Sequence, residues 1–270
     1  MKTRILTAAA ALTAFIPFLC FSHTPAFPAL AAVLGGVAVW ELYSCVGEAK
    51  RYNLTRIMSL ILAAILPFAA RYRQSLIFPG VLAYILAVFT AFVLDAESVD
   101  KGEKGGQVYF AGFESLAVVL GFSLLIAVRD REPLRYLLIF IAAWSTDTFA
   151  YFFGVAFGKK KLCPVVSPKK TVAGGVWGVL GCGASFVAFG LVCNGFFNKS
   201  YSILTLALLS VVFSIVGQTG DLAASAVKRR LGVKDFGRLF PGHGGVLDRF
   251  DSIIAITLAA YIFTELEKLW

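Results

Sequence analysis

The sequence predicts an all-α, polytopic integral membrane protein of about nine transmembrane helices with a polar cavity facing the cytoplasm. Three observations carry that expectation. The 270 residues have a mean hydropathy of +0.80, 59% of them are hydrophobic and 15% are charged, a balance far from that of a soluble domain. Apolar residues gather into runs of the length that a bilayer core of about 30 Å requires, roughly 20 residues per helix. Basic residues concentrate in alternate gaps between those runs, as cytoplasmic loops do.

In chain order the largely apolar runs cover approximately 5–22, 27–46, 54–70, 75–94, 108–128, 134–157, 172–193, 201–220 and 252–267. The first follows Lys2 and Arg4 in the manner of a signal peptide. Phe18-Leu19-Cys20-Phe21 offers no small-residue pair for cleavage, however, and the second run follows almost at once, so a retained helix is expected. The run beginning at Leu54 is among the shortest. With the N-terminus inside, 18 of the 25 Lys and Arg residues are cytoplasmic, including those of two basic loops, 158–171 and 225–251. Arg71, Arg73, Arg129, Arg131, Arg135, Lys199 and Lys268 remain outside. Cys20, Cys45, Cys163, Cys182 and Cys193 show no C-x-x-C spacing, which argues against a zinc or disulfide framework. No repeat, low-complexity tract or long linker divides the chain, so residues 1–270 are read as one transmembrane domain.

Ionisable groups inside a span are costly and usually functional. Asp147 lies near the centre of the sixth run, where helical spacing places Trp144, Asp147, Thr148 and Tyr151 on one face. A polar stripe facing other helices is expected, either for chemistry or for a structural hydrogen bond between spans. Asp221 ends the eighth run in "VGQTGDLAASAVKRR", which reads as one helix continuing out of the membrane with Gly217, Asp221, Ser225 and Lys228 on one face. Asp248 and Asp251 open the ninth helix at i and i+3, as functional groups or as complements to the helix dipole. Asp221, Asp248, Asp251 and Asp147 make an all-oxygen set that suits Mg²⁺, which commonly takes one or two carboxylates together with substrate phosphates. Lys228, Arg229, Lys234, Arg238 and Arg249 supply charge for a polyanion. In "PGHGG" the glycines Gly242, Gly244 and Gly245 let a backbone approach a phosphate, and His243 can donate a hydrogen bond. "SPKKT" sets Ser167, Lys169 and Lys170 just ahead of the seventh helix, whose N-terminus attracts anions.

The segment 225–251, "SAVKRRLGVKDFGRLFPGHGGVLDRFD", resembles in residue type and spacing the signature of the phosphatidate cytidylyltransferases, also called CDP-diacylglycerol synthases. The likeness extends to "DTFAYFFG" and "SPKKT", while the N-terminal spans, about 1–107, are similar only in being apolar. The resemblance implies conversion of CTP and phosphatidate to CDP-diacylglycerol and pyrophosphate in phospholipid biosynthesis, with Mg²⁺ and a monovalent cation such as K⁺. It also implies a bacterial-type inner membrane with the active site facing the cytoplasm, no nucleic-acid partner, and room for a homodimer. Direct in-line attack by the lipid phosphate on the CTP α-phosphorus is expected, without a protein nucleophile. Asp221 and Asp248 are the first metal ligands expected, then Asp251 and Asp147. Lys228, Arg229, Lys234 and Arg249 would hold phosphates, His243 would be a phosphate contact, Ser225 a hydrogen-bonding residue, and Tyr151 part of the inner wall. Two other readings are a transporter for an anionic lipid or metabolite and a cytidylyltransferase for another lipid phosphate.

Overall fold

A chain segment in hydrocarbon must satisfy every backbone polar group within itself, which leaves the helix as the only open-ended solution. The computed structural model, which describes residues 16, 17, 19–46, 53–96, 104–240, 242 and 244–266, follows that rule. Its helices are α1 (Ala26–Val46), α2 (Asn53–Tyr72), α3 (Ile77–Ala96), α4 (Lys104–Arg131), α5 (Leu137–Phe157), α6 (Val172–Phe196), α7 (Ile203–Arg230) and α8 (Leu247–Leu266). Among the described residues seven helices are long and apolar enough to cross a membrane, and they correspond to the second through eighth runs. The protein is an all-α integral membrane protein. The first run, 5–22, lies largely outside the described residues, and the ninth lies within α8, whose first turn carries Asp248 and Arg249. Between α5 and α6 an antiparallel hairpin joins β1 (Lys161–Cys163) to β2 (Ser167–Thr171), pairing Lys161 with Thr171 and Cys163 with Ser167.

The chain divides into two compact units. Unit 1 comprises the chain through Arg131 and the segment Arg230–Phe250. Its fully buried side chains include Val39 and Leu42 of α1, Leu66 of α2, and Val119 and Ile126 of α4. Within this apolar body Ser59 Oγ bonds to Tyr43 Oη at 3.1 Å and to Tyr84 Oη at 2.7 Å, and Tyr84 donates to the Gly112 carbonyl at 2.9 Å. That chain ties α1, α2, α3 and α4 together. At one end of the unit the segments expected outside meet. Arg71 pairs with Asp130 and donates to the Ser22 and His23 carbonyls, Arg129 Nε donates to Ser22 Oγ at 3.0 Å, and Arg131 donates to Gln74 Oε1 at 3.1 Å.

Unit 2 comprises Glu132–Arg229 and the chain from Asp251 onward. Thr146 Oγ1 of α5 donates to Ser214 Oγ of α7 at 2.9 Å in its buried interior. Phe149, Phe153 and Phe157 stack along α5, and Trp177 of α6 lies on Phe153 with ring centroids 4.3 Å apart. The loop between α6 and α7, expected outside, is closed by the Asn194 side chain, which bonds the Tyr201 backbone in both directions, at 2.8 and 2.9 Å.

Candidate active site

Each unit holds its own carboxylate cluster. In unit 1, Asp248 is buried in the first turn of α8, and its Oδ2 accepts the Gly245 N–H at 2.9 Å and the Phe236 N–H at 2.8 Å. One oxygen thereby fastens two distant points of the loop that precedes the helix. A second buried carboxylate, Glu41 of α1, accepts the Val246 N–H on Oε1 and the Leu247 N–H on Oε2, both at 3.0 Å. Those N–H groups open α8 and have no partner inside it, so Glu41 caps the helix from outside and also answers the positive end of its dipole. A Cβ at Gly245 would collide with the Glu41 carboxylate, which is why glycine stands there. Gly244, at φ +85°, turns the chain so that its carbonyl accepts the Phe240 N–H at 2.9 Å.

This geometry corrects one expectation. The "PGHGG" glycines are expected to aim N–H groups at a phosphate, but the Gly245 N–H is directed at Asp248. The expected dipole complement at the start of α8 comes chiefly from Glu41, on a helix 205 residues away from Val246 in sequence. Gly242 is exposed at the turn, whereas His243 lies outside the described residues. Lys234 and Arg249 are exposed cations of this unit.

In unit 2, α7 runs unbroken from Ile203 to Arg230, as its sequence predicts, and carries Asp221 and the half-buried Ser225. Asp221 forms an ion pair with Lys170 of β2. Lys170 is held close to the helix because the next residue, Thr171, is the N-cap of α6, its Oγ1 accepting the Gly174 N–H at 3.1 Å. A Cβ on Gly220 would run into Ala255 and come within 3.2 Å of the Asp251 carbonyl oxygen. Glycine there lets α7 lie directly against α8, which brings Asp221 into the field of Asp251. Asp251 precedes the apolar run 252–267. Burial pushes its carboxyl up to about 7, the Asp221 charge adds to that, and Asp147 adds less, against the Ser252 N–H at 2.7 Å and the Lys228 charge. Lys228 is itself buried at 8% exposure, while Arg229 and Lys169 are exposed and Ser167 is half-buried.

The expected stripe on α5 is displaced by one residue. Thr146 makes the buried contact with another helix, whereas Trp144, Asp147, Thr148 and Tyr151 are all exposed. Among the described residues no three His, Cys, Asp or Glu side chains are grouped so as to hold a metal ion by themselves. Asp221 and Asp147 both act on Asp251, and carboxylate oxygens of this kind are the donors that a hard divalent cation takes.

Residues 2–266 match the sequence model of the cytidylyltransferase family. The chain belongs to this family. It is 36% identical over 259 residues to a phosphatidate cytidylyltransferase of Staphylococcus epidermidis, with 95% of this chain and 96% of the relative covered. A phosphatidate cytidylyltransferase of Bacillus subtilis is 32% identical over 273 residues, covering 98% of both chains. One from Brucella abortus is 41% identical over 168 residues, or 60% of this chain and 57% of the relative. Membership makes this cytidylyltransferase a nucleotidyltransferase, and the clusters described above are where its sequence concentrates charge. Glu41 is the residue of that architecture which the sequence reading misses. A signal was available: "VAVWELYSCV" holds one carboxylate inside an otherwise apolar run, and such a residue requires a strong partner.

Proposed function

We propose that this cytidylyltransferase condenses CTP with phosphatidate, giving CDP-diacylglycerol and pyrophosphate, at a site facing the cytoplasm of a bacterial inner membrane. The observation that carries the proposal is the unit 2 cluster, in which Asp221 and Asp251 are combined with Lys170 and Lys228 where a long apolar helix emerges. A lipid phosphate at the membrane surface and a soluble triphosphate both require such a position. The names and near-complete coverage of the relatives support the same substrates.

A phosphate monoester has a second pKa near 6, so the attacking oxygen of phosphatidate is already largely ionised at neutral pH. It forms the new bond to the α-phosphorus as the bond from that phosphorus to the bridging β-phosphate oxygen breaks, and pyrophosphate departs with the electron pair. The protein's task is to position and neutralise. Lys170, Lys228 and Arg229 are assigned to phosphate oxygens in unit 2, with Lys169, Ser167 and Ser225 as further polar contacts and Tyr151 as wall. Lys234, Arg249 and His243 are assigned to phosphates individually, and Gly242 and Gly244 to the shape of their loop. Asp221, Asp251 and Asp147 would hold Mg²⁺ in unit 2, and Asp248 is assigned to a metal individually, within unit 1. Bound Mg²⁺ would supply Lewis-acid neutralisation of the reacting phosphates. A K⁺ ion and a second copy of the chain belong to the same proposal.

The test is pyrophosphate release from CTP by the purified protein in lipid nanodiscs. Release that requires added phosphatidate supports the reading. Release with an isoprenoid ether phosphate but not with the diacyl phosphate would move the substrate to another lipid class. No release, with flux of the anionic substrate in proteoliposomes, would establish the transporter instead.

A further inference from the structure

Within unit 1 a groove of about 630 Å³ runs between α1 and α2. Val33, Gly36 and Trp40 form one wall and Leu60, Ala64 and Phe68 the other, so it is apolar throughout. A Cβ on Gly36 would meet nothing within 4 Å, and Val33 and Trp40 expose 62% and 54% of their surface. A cation lies beside the Trp40 end of the groove. The Arg56 guanidinium lies over the Trp40 ring, 3.4 Å from its centroid, and its Nη2 is buried without a hydrogen-bond partner. Among the described residues no carboxylate forms an ion pair with Arg56.

A desolvated guanidinium N–H without an acceptor is unfavourable, and contact with an aromatic face answers the charge but not the in-plane donors. Those donors form a planar fork that matches phosphate oxygens. Arg56 to Phe68 is twelve residues of α2, about 18 Å along a helix, close to the roughly 15 Å that one leaflet contributes to a bilayer core. The groove thus has the length of one acyl chain in one leaflet, with a cation where that lipid's phosphate would lie.

We propose that this groove binds one anionic phospholipid, its phosphate on Arg56 and one acyl chain along α1 and α2. The site shares no residue with those assigned to CTP or phosphatidate above. A soluble phosphate would use the guanidinium but leave the apolar walls exposed.

The test follows Trp40 fluorescence in vesicles, using a form in which Trp144, Trp177 and Trp270 are replaced by Phe. Quenching is compared for phosphatidylglycerol and phosphatidylcholine carrying brominated acyl chains. The anionic lipid is expected to bind about fivefold more tightly, the scale of one cation at a membrane surface. Arg56→Gln should bring the ratio to about one, while Arg56→Lys should keep most of it. Millimolar inorganic phosphate should not displace the brominated anionic lipid. Equal quenching by both lipids, a preference that survives Arg56→Gln, or displacement by inorganic phosphate would each overturn the proposal. So would absence of quenching by either lipid, which would mean that protein, a second copy or the chain's own residues 5–15, covers the groove. If the single-Trp form does not fold, native mass spectrometry of the unmodified protein decides the question. Retention of phosphatidylglycerol over phosphatidylcholine, lost in Arg56→Gln, is the supporting result, and indifference to the substitution is the refuting one.

Discussion

Asp221 and Glu41 are both carboxylates on long apolar helices, yet their surroundings differ. Asp221 faces Lys170 and acts on Asp251, and the proposed reaction assigns its charge to the cation. Asp221→Asn keeps the size and removes the charge, and turnover should fall by about two to three orders of magnitude, the scale of removing one electrostatic contact to a reacting group. Steady-state kinetics at limiting Mg²⁺ check this, and near-normal activity there would remove Asp221 from the cation site. Glu41 instead spends both oxygens on backbone N–H groups. Glu41→Gln leaves one of those groups facing an amide NH₂, which should cost about 1–3 kcal/mol of stability. Thermal unfolding in detergent should show a lowered midpoint that Mg²⁺ does not restore. Asp221, Asp248 and Asp251 were legible in the sequence because charge interrupts or borders apolar runs there. The N–H of Gly245 was misread because a glycine-rich loop does not announce which anion it approaches, and here that anion is the protein's own Asp248.

The helices were legible as elements because each apolar run is long enough to cross a bilayer and none has an alternative fold in that solvent. The hairpin of β1 and β2 was not. Its segment, "KLCPVVSPKKT", is short and rich in lysine and proline, and reads only as a basic loop. Its importance lies in where it ends. Thr171 closes the hairpin and caps α6, which fixes Lys170 beside Asp221. Thr171→Ala should therefore lower stability by about 1 kcal/mol and raise KM for CTP, while Thr171→Ser, which retains the acceptor, should behave as the parent. Equal KM values for the two variants would separate the cap from the positioning of Lys170. Gly220 belongs to the same scale, because the approach of α7 to α8 depends on the missing side chain.

For the whole molecule, the asymmetry of Lys and Arg predicts the sidedness of every loop. Cysteines introduced at 160 and 235 should react with an impermeant maleimide only from the cytoplasmic side, and one at 198 only from the outside. Reaction of 160 and 198 from the same side would overturn the threading. The meeting of His23, Arg71 and Asp130 at one end of unit 1 agrees with it, since all three fall in segments expected outside. The N-terminal helices, expected to resemble the family only in being apolar, lie inside the family match, which begins at residue 2, and the capping of α8 by Glu41 shows that they do more than anchor. The bond from Val246 to Glu41 spans 205 residues. Ribosomal synthesis therefore delivers α1 long before its partner exists, and the carboxylate must wait in the membrane, or take a proton, until the last helix arrives. A gene fragment beginning after α1 would encode all of the signature segment and still lack the acceptor that finishes it.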